Sequence, residues 1–487
     1  MTLTTIQLNS STWFGNTRRD VLSGMTVALA LIPEAIAFSI IAGVSPMVGL
    51  YASFCMAVVI SFVGGRPGMI SAATGAMALL MVTLVKDHGL EYLFAATILT
   101  GIIQYVLGLL KIGHLVKFIP HSVMNGFVNA LAILIFIAQL THFKGQNWVM
   151  YGLVALTLAI IYIFPLFTKA VPSALVAIIV VSIISISLGL NISTVGDMGA
   201  ITNALPLLHI PQVLFSLDTL LIILPYSISL AIVGILESLL TATLLDELTD
   251  TSSNKNREVK GQGIANVVTG FFGGMAGCAM IGQSVINVKS GGRKRLSTLV
   301  AGVFLLFLII VLGPVVTKIP MAALVGVMIM VCIGTFNWDS LKELNRIPRT
   351  DALVMIVTVV IVVMTNNLSY GVFAGVLLSA LFFAWKIGRI TLEQSIGQDG
   401  HKEYKVRGQM FFGTMTDFVS LFNYIEDPDH IIINFSRSHI WDQSAVTAIV
   451  KVITKYEQMG KHVKIVGLNE ESRILIDKIG LSVPSGH

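Results

Sequence analysis

A succession of long apolar segments, separated by short polar loops, restricts the fold of this chain more than any other feature. A helix needs about 20 mostly apolar residues to cross a bilayer. The longer segments lie at residues 21–43, 47–64, 93–110, 123–140, 149–167, 174–190, 220–245, 261–273, 296–315, 321–334, 352–364 and 370–387. Only 12% of the residues are charged, whereas soluble domains carry about 25%. The pattern therefore predicts an all-α polytopic membrane protein.

Two shorter segments, 73–86 and 279–288, are rich in small residues and decide the topology. Lys and Arg are frequent in every second loop, for example at Arg18 and Lys255. Loops rich in Lys and Arg usually lie in the cytoplasm. The alternation is regular only if both short segments cross, which gives about 14 transmembrane segments. We therefore expect a multi-pass protein of the plasma (bacterial inner) membrane with both termini cytoplasmic. The net charge of +5 then reflects orientation and predicts no nucleic-acid partner.

The two halves of the membrane region are alike in pattern. Each begins with a long segment carrying one central glutamate, Glu34 or Glu237, and in each the third segment is short and follows a glycine-containing stretch. Seven crossings per half is an odd number, so the second half must be inverted. Inverted repeats with short segments at matching positions are typical of transporters and mark their binding sites.

The chain changes character near Thr391, where charged residues become frequent. Strand patterns at 403–406, 430–435 and 462–466 alternate with helical patterns at 417–425, 443–456 and 472–479. Strands alternating with helices predict a small α/β domain. We therefore divide the chain into a transmembrane domain, residues 1–390, and a cytosolic domain, residues 391–487.

Each short segment has the pattern of an extended stretch that becomes a half-helix within the membrane. The start of a helix exposes unpaired N–H groups and the positive end of the helix dipole, so two facing starts could bind an anion without a buried arginine. Close helix packing is the alternative use of small residues. The predicted anion-binding residues are Thr74, Gly75, Ala76, Ala279, Met280, Ile281, Gly282 and Ser284, with Phe38 as a wall. Thr74 and Ser284 would add hydroxyl donors.

The two central glutamates are candidates for cation coupling, because a carboxylate within the membrane is costly and usually marks an ion path or a proton relay. Glu237 and Thr241 are four residues apart and share a helix face. Together they could hold Na⁺, the one metal ion that the sequence suggests, or Glu237 could carry a proton. Glu34 follows Pro33 and could simply cap a local break. A purely structural carboxylate remains the alternative for both.

Enzymatic features are absent from the sequence pattern. Gly291-Gly292-Arg293 is not followed by the Gly-Lys-Ser of a phosphate-binding loop. The three cysteines lie in or beside apolar stretches and are interpreted as buried thiols, not as metal ligands. No nucleophile–base arrangement is evident. The sequence predicts a protein that is not an enzyme and binds no cofactor.

Several motifs together resemble the SulP family of anion transporters, known in animals as solute carrier family 26. They are LIPEAIA at 31–37, AGVSP at 42–46, GLY at 49–51, NVVTGFFGG at 266–274 and SGGR at 290–293. The tail resembles a STAS domain through INFS at 433–436 and DQSA at 442–445. Within the family, the chain is most similar to BicA-type bicarbonate transporters.

The resemblance implies 7+7 inverted repeats arranged as a core and a gate, an anion site between the third and tenth segments, and a homodimer. It also implies an acidic residue in the eighth segment, matched by Glu237, although the BicA group has Asp at this position. We therefore predict Na⁺-coupled uptake of bicarbonate by alternating access. Proton-coupled transport of sulfate or a dicarboxylate remains an alternative, as do a nucleobase transporter, an anion channel and a non-transporting sensor that signals through the STAS domain.

Overall fold

The computed structural model describes residues 10–113, 119–168, 172–199, 201–202, 204–213, 216–397 and 400–479. The chain separates into two compact units, Met1–Val376 and Leu377–His487. In the first unit nearly all regular structure is helical, which confirms the predicted all-α membrane domain. The second unit contains a mixed α/β arrangement.

The first half of the membrane unit begins with a four-residue helix and continues with long apolar helices. The elements are α1 (Ser10–Trp13), α2 (Thr17–Ala42), α3 (Pro46–Val63), β1 (Ser71–Ala73), α4 (Gly75–His88), α5 (Leu90–Leu109), α6 (His121–Leu140), α7 (Trp148–Ile163) and α8 (Ser173–Ser187). Gly43 ends α2 in the left-handed conformation, φ +77°, and Pro46 begins α3 at its first position. Proline is favoured there because its missing N–H would have no helical partner.

The second half follows the short helix α9 (Val195–Met198) and repeats the same order. Its elements are α10 (Leu217–Thr249), α11 (Lys255–Phe271), β2 (Gly277–Ala279), α12 (Ile281–Lys289), α13 (Arg295–Val316), α14 (Met321–Thr335), α15 (Trp338–Lys342), α16 (Arg349–Thr365) and α17 (Leu368–Ile387). In the described part of the chain, eight helices are long and apolar enough to cross a membrane, and α8 and α14 are shorter apolar helices.

The packing of the helices follows the inverted repeat. Helix α2 packs against α13 as α10 packs against α5, and α3 packs against α13 as α11 packs against α5. In a second group, α7 packs against α14 as α16 packs against α6. The exchange of equivalent partners between the two halves is the packing that an inverted repeat produces.

The two short segments begin differently from the sequence-based prediction. Residues 73 and 279 belong to strands, so α4 and α12 each begin two residues later than expected, at Gly75 and Ile281. The strands pair antiparallel, with Ser71 opposite Ala279 and Ala73 opposite Gly277. Both half-helices therefore start from one two-stranded ribbon. Helix α11 also differs, because it begins with a polar turn at Lys255 and not at residue 261.

The second unit is built on a four-stranded sheet. Its elements are β3 (Thr391–Ile396), β4 (Lys402–Met410), α18 (Met415–Ser420), β5 (His430–Ile440), α19 (Gln443–Glu457), β6 (His462–Val466) and α20 (Glu470–Ile479). The strand order is β3-β4-β5-β6, with β3 antiparallel to β4 and the other pairs parallel. Apolar residues of α19, such as Val446 and Ile449, join Ile433 and Phe435 of β5 in a core of their own.

Two elements of this unit differ from the expectation. Strand β3 was not predicted. It is an edge strand whose residues are mostly exposed, so its sequence has no apolar pattern. Helix α18 ends at Ser420, five residues before the predicted end at 425. The contact boundary at Val376/Leu377 falls inside α17, and the domain division at residue 390 stays a prediction. Residues 480–487 of the predicted domain lie outside the described residues.

Candidate functional site

The β1–β2 ribbon places the starts of two half-helices within one buried region. Thr74 follows β1 in an extended conformation and caps α4, its Oγ1 accepting a hydrogen bond from the backbone N–H of Met77 at 3.4 Å. Met280 follows β2 in the same way and precedes α12. Threonine is a good N-cap because its hydroxyl satisfies one of the unpaired N–H groups.

The backbone N–H groups at these helix starts fall into two classes. In the described part of the chain, those of Gly75, Ala76, Ile281 and Gly282 have no protein acceptor, as expected for an anion site. The N–H of Ala279, in contrast, donates to Ser238 Oγ at 3.1 Å, and that of Met280 donates to the carbonyl oxygen of Ile70 at 2.9 Å. The prediction for the amides of Ala279 and Met280 is therefore corrected, because both support the ribbon.

Ser284 also differs from its predicted role as a hydroxyl donor to the anion. Its Oγ accepts from the N–H of Ile70 at 3.0 Å and lies 3.3 Å from the carbonyl oxygen of the same residue. Ser284 is fully buried. Its hydroxyl joins α12 to the segment before β1 and has no proton left for an anion.

The two helix starts differ in how much space surrounds them. A Cβ atom at Gly75 would lie 2.9 Å from the ring of Phe38 and 2.7 Å from Ile135, so this glycine is tightly enclosed. A Cβ atom at Gly282 would meet no atom within 4 Å, and Gly282 is exposed. The open position of the site is therefore the first turn of α12, while Phe38 walls the first turn of α4.

Glu237 lies beside the ribbon, within α10. Its Oε2 accepts a hydrogen bond from the thiol of Cys278 at 2.9 Å, and the same sulfur lies 3.1 Å from Thr74 Oγ1. All three side chains are buried. A continuous hydrogen-bonded path thus joins the carboxylate to the residue that caps α4. Thr241 shares the helix face, but its hydroxyl donates to the backbone carbonyl of Glu237, at 2.7 Å.

Glu34 occupies a different part of the same region. Its Oε1 accepts a hydrogen bond from Nε2 of Gln283, at 2.7 Å, and Gln283 belongs to the first turn of α12. Glu34 therefore joins α2 to α12, as Glu237 joins α10 to β2. The two central glutamates are brought to the same ribbon and its helices, although each has its own partner.

Polar side chains of α11 hold the ribbon in place. Asn266 forms two hydrogen bonds with the backbone of Gly277, at 2.8 and 3.0 Å, and Gln262 donates to Ser71 Oγ at 2.7 Å. The sequence-based reasoning missed Asn266, Gln283 and Cys278. The available signal was a polar residue every fourth position in α11, at 258, 262 and 266, which continues into the predicted apolar segment 261–273.

A cavity of about 720 Å³ lies between α2, α4 and α10 on one side and α6 and α17 on the other. Its lining includes Leu80, Leu134, Tyr226, Asn366 and Tyr370, toward the C-terminal ends of α4 and α6. Near the start of α6 the facing residues close around a crevice of only about 10 Å³. The larger cavity therefore lies at the end of this boundary away from the start of α6.

Comparisons with known proteins identify the architecture. The model of the sulfate permease family matches residues 18–152 and 146–358, and that of the STAS domain matches residues 394–483. The chain belongs to the sulfate permease family. The predicted SulP resemblance is thereby confirmed, and the protein is a membrane anion transporter with a STAS domain.

Relatives within the family cover most of the chain. The "Putative sulfate transporter YbaR" of Bacillus subtilis is 61% identical over 467 residues, 96% of this chain and 98% of that protein. The transmembrane domain of a cyanobacterial bicarbonate transporter, BicA, superimposes with a TM-score of 0.68 at 30% identity, covering 74% of this chain and 98% of that domain. Murine Slc26a9 shares the fold, with a TM-score of 0.83 at 17% identity over 96% of this chain.

The site provides few ligands for a resident metal ion. Among the described residues, no three His, Cys, Asp or Glu side chains are grouped as metal ligands. Of the two central glutamates, Glu237 is the buried one beside the ribbon, and the thiol of Cys278 is its partner. The arrangement suits an anion held by backbone N–H groups next to one buried carboxylate.

Proposed function

We propose that this member of the sulfate permease family takes up sulfate together with protons, by alternating access. The anion would bind at the open first turn of α12, facing the start of α4. The observation that carries the proposal is the contact of the Glu237 carboxylate with the Cys278 thiol, which in turn contacts Thr74. Through these contacts the protonation state of Glu237 can act on the anion site.

The surroundings of Glu237 favour a proton over Na⁺. Sodium is a hard cation and prefers oxygen ligands, whereas the nearest partner of the carboxylate is a sulfur atom. The hydroxyl of Thr241, the other expected ligand, donates to the backbone carbonyl oxygen of Glu237 and does not contact its carboxylate. We therefore propose that Glu237 binds a proton, and not Na⁺, during transport.

Charge also favours joint binding of sulfate and a proton. The segments 70–80 and 275–287 contain no Lys or Arg, so the helix starts provide the positive potential. An ionised Glu237 beside them would oppose a dianion, and protonation removes that repulsion. By reciprocal linkage, sulfate binding should then favour protonation of Glu237. The 61% identity with the "Putative sulfate transporter YbaR" supports the choice of substrate.

Na⁺-coupled uptake of bicarbonate is the second candidate. It is favoured by the 30% identity with the transmembrane domain of cyanobacterial BicA, which the chain covers almost completely. A cradle of backbone N–H groups accepts any small oxyanion of suitable size. We keep the predicted homodimer and the cytoplasmic termini in a plasma membrane as parts of both candidates, to be tested by cross-linking and by the accessibility of tags at each end.

The test is uptake of radiolabelled sulfate and bicarbonate into proteoliposomes, with an inward gradient of either protons or Na⁺. An inward gradient of one pH unit should raise sulfate accumulation roughly tenfold for each proton cotransported. Glu237→Gln should abolish this stimulation. The matched control is Glu247→Gln, on the same helix but exposed, which should retain it.

Each alternative gives a different result in the same assay. Bicarbonate uptake driven by Na⁺, without proton-driven sulfate uptake, would replace the first candidate by the second. Saturable binding without flux would indicate a sensor. Anion currents that respond to neither gradient would indicate a channel.

A further inference from the structure

We propose that a cluster of basic residues at the start of α2 and in the loop between α12 and α13 binds the headgroup of an anionic phospholipid. The cluster, called the basic patch, consists of Arg18, Arg19, Lys289, Arg293 and Lys294. Four of these side chains are exposed and Lys294 is half-buried. The patch lies outside the anion site and does not depend on the proposed substrate.

Backbone contacts bring the two parts of the patch together. Oδ1 of Asp20 accepts hydrogen bonds from the backbone N–H groups of Arg293, at 2.8 Å, and Lys294, at 3.2 Å. Asn16 donates to the carbonyl oxygen of Gly291, whose α-carbon faces the side chain of Arg19. The loop is thus fixed to α2 through its main chain, which leaves the basic side chains free.

Other basic residues at this end of the helix group already have protein partners. Arg66 and Lys255 form ion pairs with Asp246, at 3.2 and 2.8 Å. Arg295 donates to the carbonyl oxygens of Ser61 and Gly64, at 2.8 and 2.6 Å. Within the described residues, no side chain of the basic patch has an ion pair or a hydrogen-bond acceptor. The carboxylate that holds the loop, Asp20, is buried and bonded to backbone N–H groups, so it does not neutralise the patch through an ion pair.

Exposed apolar side chains lie next to the basic patch, where the acyl chains of a bound lipid would contact them. Leu22 lies one turn beyond Arg18 on the same face of α2 and is 55% exposed, and Phe14 is 62% exposed. Trp13 is buried against Phe62, with ring centroids 5.0 Å apart, which fixes α1 beside α3. Cations at the end of a membrane helix, directly above exposed apolar side chains, match a phosphate group with its acyl chains below.

A lipid fits these observations better than a free anion. Exposed Lys and Arg side chains form no enclosed polar pocket, so an isolated phosphate ion would be held only by screened charges. A phospholipid adds the apolar contact with Leu22 and Phe14. The chemistry recognised is a phosphodiester with a net negative charge, as in phosphatidylglycerol.

The test uses the full chain purified in a neutral detergent and titrated with dioleoyl phosphatidylglycerol in mixed micelles. The measurements are the thermal unfolding midpoint and the number of lipids retained in native mass spectrometry. The first variant is Arg18→Gln with Arg19→Gln, and the second is Arg293→Gln with Lys294→Gln. The matched control removes two exposed cations, one shortly before α16 and one at its first residue, by Arg346→Gln with Arg349→Gln.

We expect phosphatidylglycerol to raise the unfolding midpoint of the wild type and of the control by several degrees. Each patch variant should lose more than half of this shift and retain fewer lipids. An equal shift with phosphatidylcholine, or an equal loss in the control, would refute the proposal. If inorganic phosphate alone reproduced the shift, the patch would be a site for free anions and the lipid assignment would be wrong.

Discussion

The thiol of Cys278 lies between Glu237 and Thr74, 2.9 Å from Oε2 of the glutamate and 3.1 Å from Oγ1 of the threonine. A thiol can donate one hydrogen bond and accept another, so it can transmit a change at the carboxylate to the cap of α4. This relationship suggests the first prediction, which concerns the thiol itself.

Cys278→Ala should weaken sulfate uptake, because the buried carboxylate loses its donor at a cost of about 1–3 kcal/mol. We expect a higher KM for sulfate and a flatter dependence of uptake on external pH. Cys278→Ser retains a donor and an acceptor at the same position and should preserve both properties. If the alanine variant matched the wild type in KM and pH profile, the path through Cys278 would have no role in coupling.

The two glycines at the helix starts allow a paired test of the anion site. Gly282→Ala adds a methyl group where no atom lies within 4 Å, so the fold should be unchanged. The methyl group would nevertheless obstruct the free N–H groups of α12, and we expect weaker sulfate binding with an unaltered unfolding midpoint. Calorimetric titration and thermal unfolding would measure the two quantities.

Gly75→Ala should differ from Gly282→Ala in its effect on stability. Its methyl group would lie 2.7 Å from Ile135 and 2.9 Å from Phe38, so α4 or Phe38 must shift. We expect a lower unfolding midpoint along with weaker binding, since overpacking costs about 1–3 kcal/mol. Unchanged sulfate affinity in both variants would place the anion elsewhere.

The fold could be predicted largely from the sequence because membrane helices follow from apolar length and loop charge. Even the short segments were found, since only their crossing makes the charge alternation regular. The strand pair was not predicted, because three buried residues such as Ser71–Ala73 have no periodicity that distinguishes a strand from a helix start. The length of helix α11 was underestimated because its first turns are polar, and their polar face is buried by contacts that depend on the tertiary fold.

The residues of the candidate site could be proposed from the sequence and stay a prediction, whereas their hydrogen bonds could not be proposed. Sequence position identified Glu34, Glu237 and the helix starts, because charged and small residues within the membrane are conspicuous. It could not show that the N–H of Ala279 bonds to Ser238, since these residues are 41 positions apart. Partners across the ribbon depend on strand register, which a single sequence does not reveal.

The close crossing of α5 and α11 supplies a prediction about stability. A Cβ atom at Gly101 would lie 2.5 Å from the carbonyl oxygen of Gly263, and one at Gly263 would lie 2.6 Å from that of Gly101. Gly263→Ala should separate the helices and cost about 1–3 kcal/mol. Gly152→Ala on α7, where a Cβ meets nothing within 4 Å, is the control and should not destabilise. If Gly263→Ala had the same unfolding midpoint as the wild type, α5 and α11 would be able to move apart without loss of stability.

The last prediction concerns the STAS domain, where the carboxylate of Asp427 is buried among three donors. Lys402 Nζ lies 2.6 Å from Oδ1, and the hydroxyls of Tyr404 and Tyr456 both donate to Oδ2. Burial alone would raise the pKa of Asp427, but the hydrogen bonds from Lys402, Tyr456 and Tyr404 outweigh it and hold the pKa below its usual value. These contacts fix the segment before β5 against the sheet.

Because the pKa of Asp427 is lower in the folded state, its stabilising contribution is complete above the unfolded carboxyl pKa of about 4 and disappears as pH falls through the lower folded value. Asp427→Asn should therefore destabilise by about 3 kcal/mol at neutral pH, because Lys402 loses its partner. At pH 3 the difference in unfolding free energy between Asp427→Asn and the wild type should become smaller. Thermal unfolding of residues 388–487, which retain the whole core of this unit, would measure both effects. Asp417→Asn, at an exposed position, is the control and should leave the stability at each pH as in the wild type. If Asp427→Asn lowered the stability by the same amount at all pH values, the carboxylate would act by its shape and not by its charge.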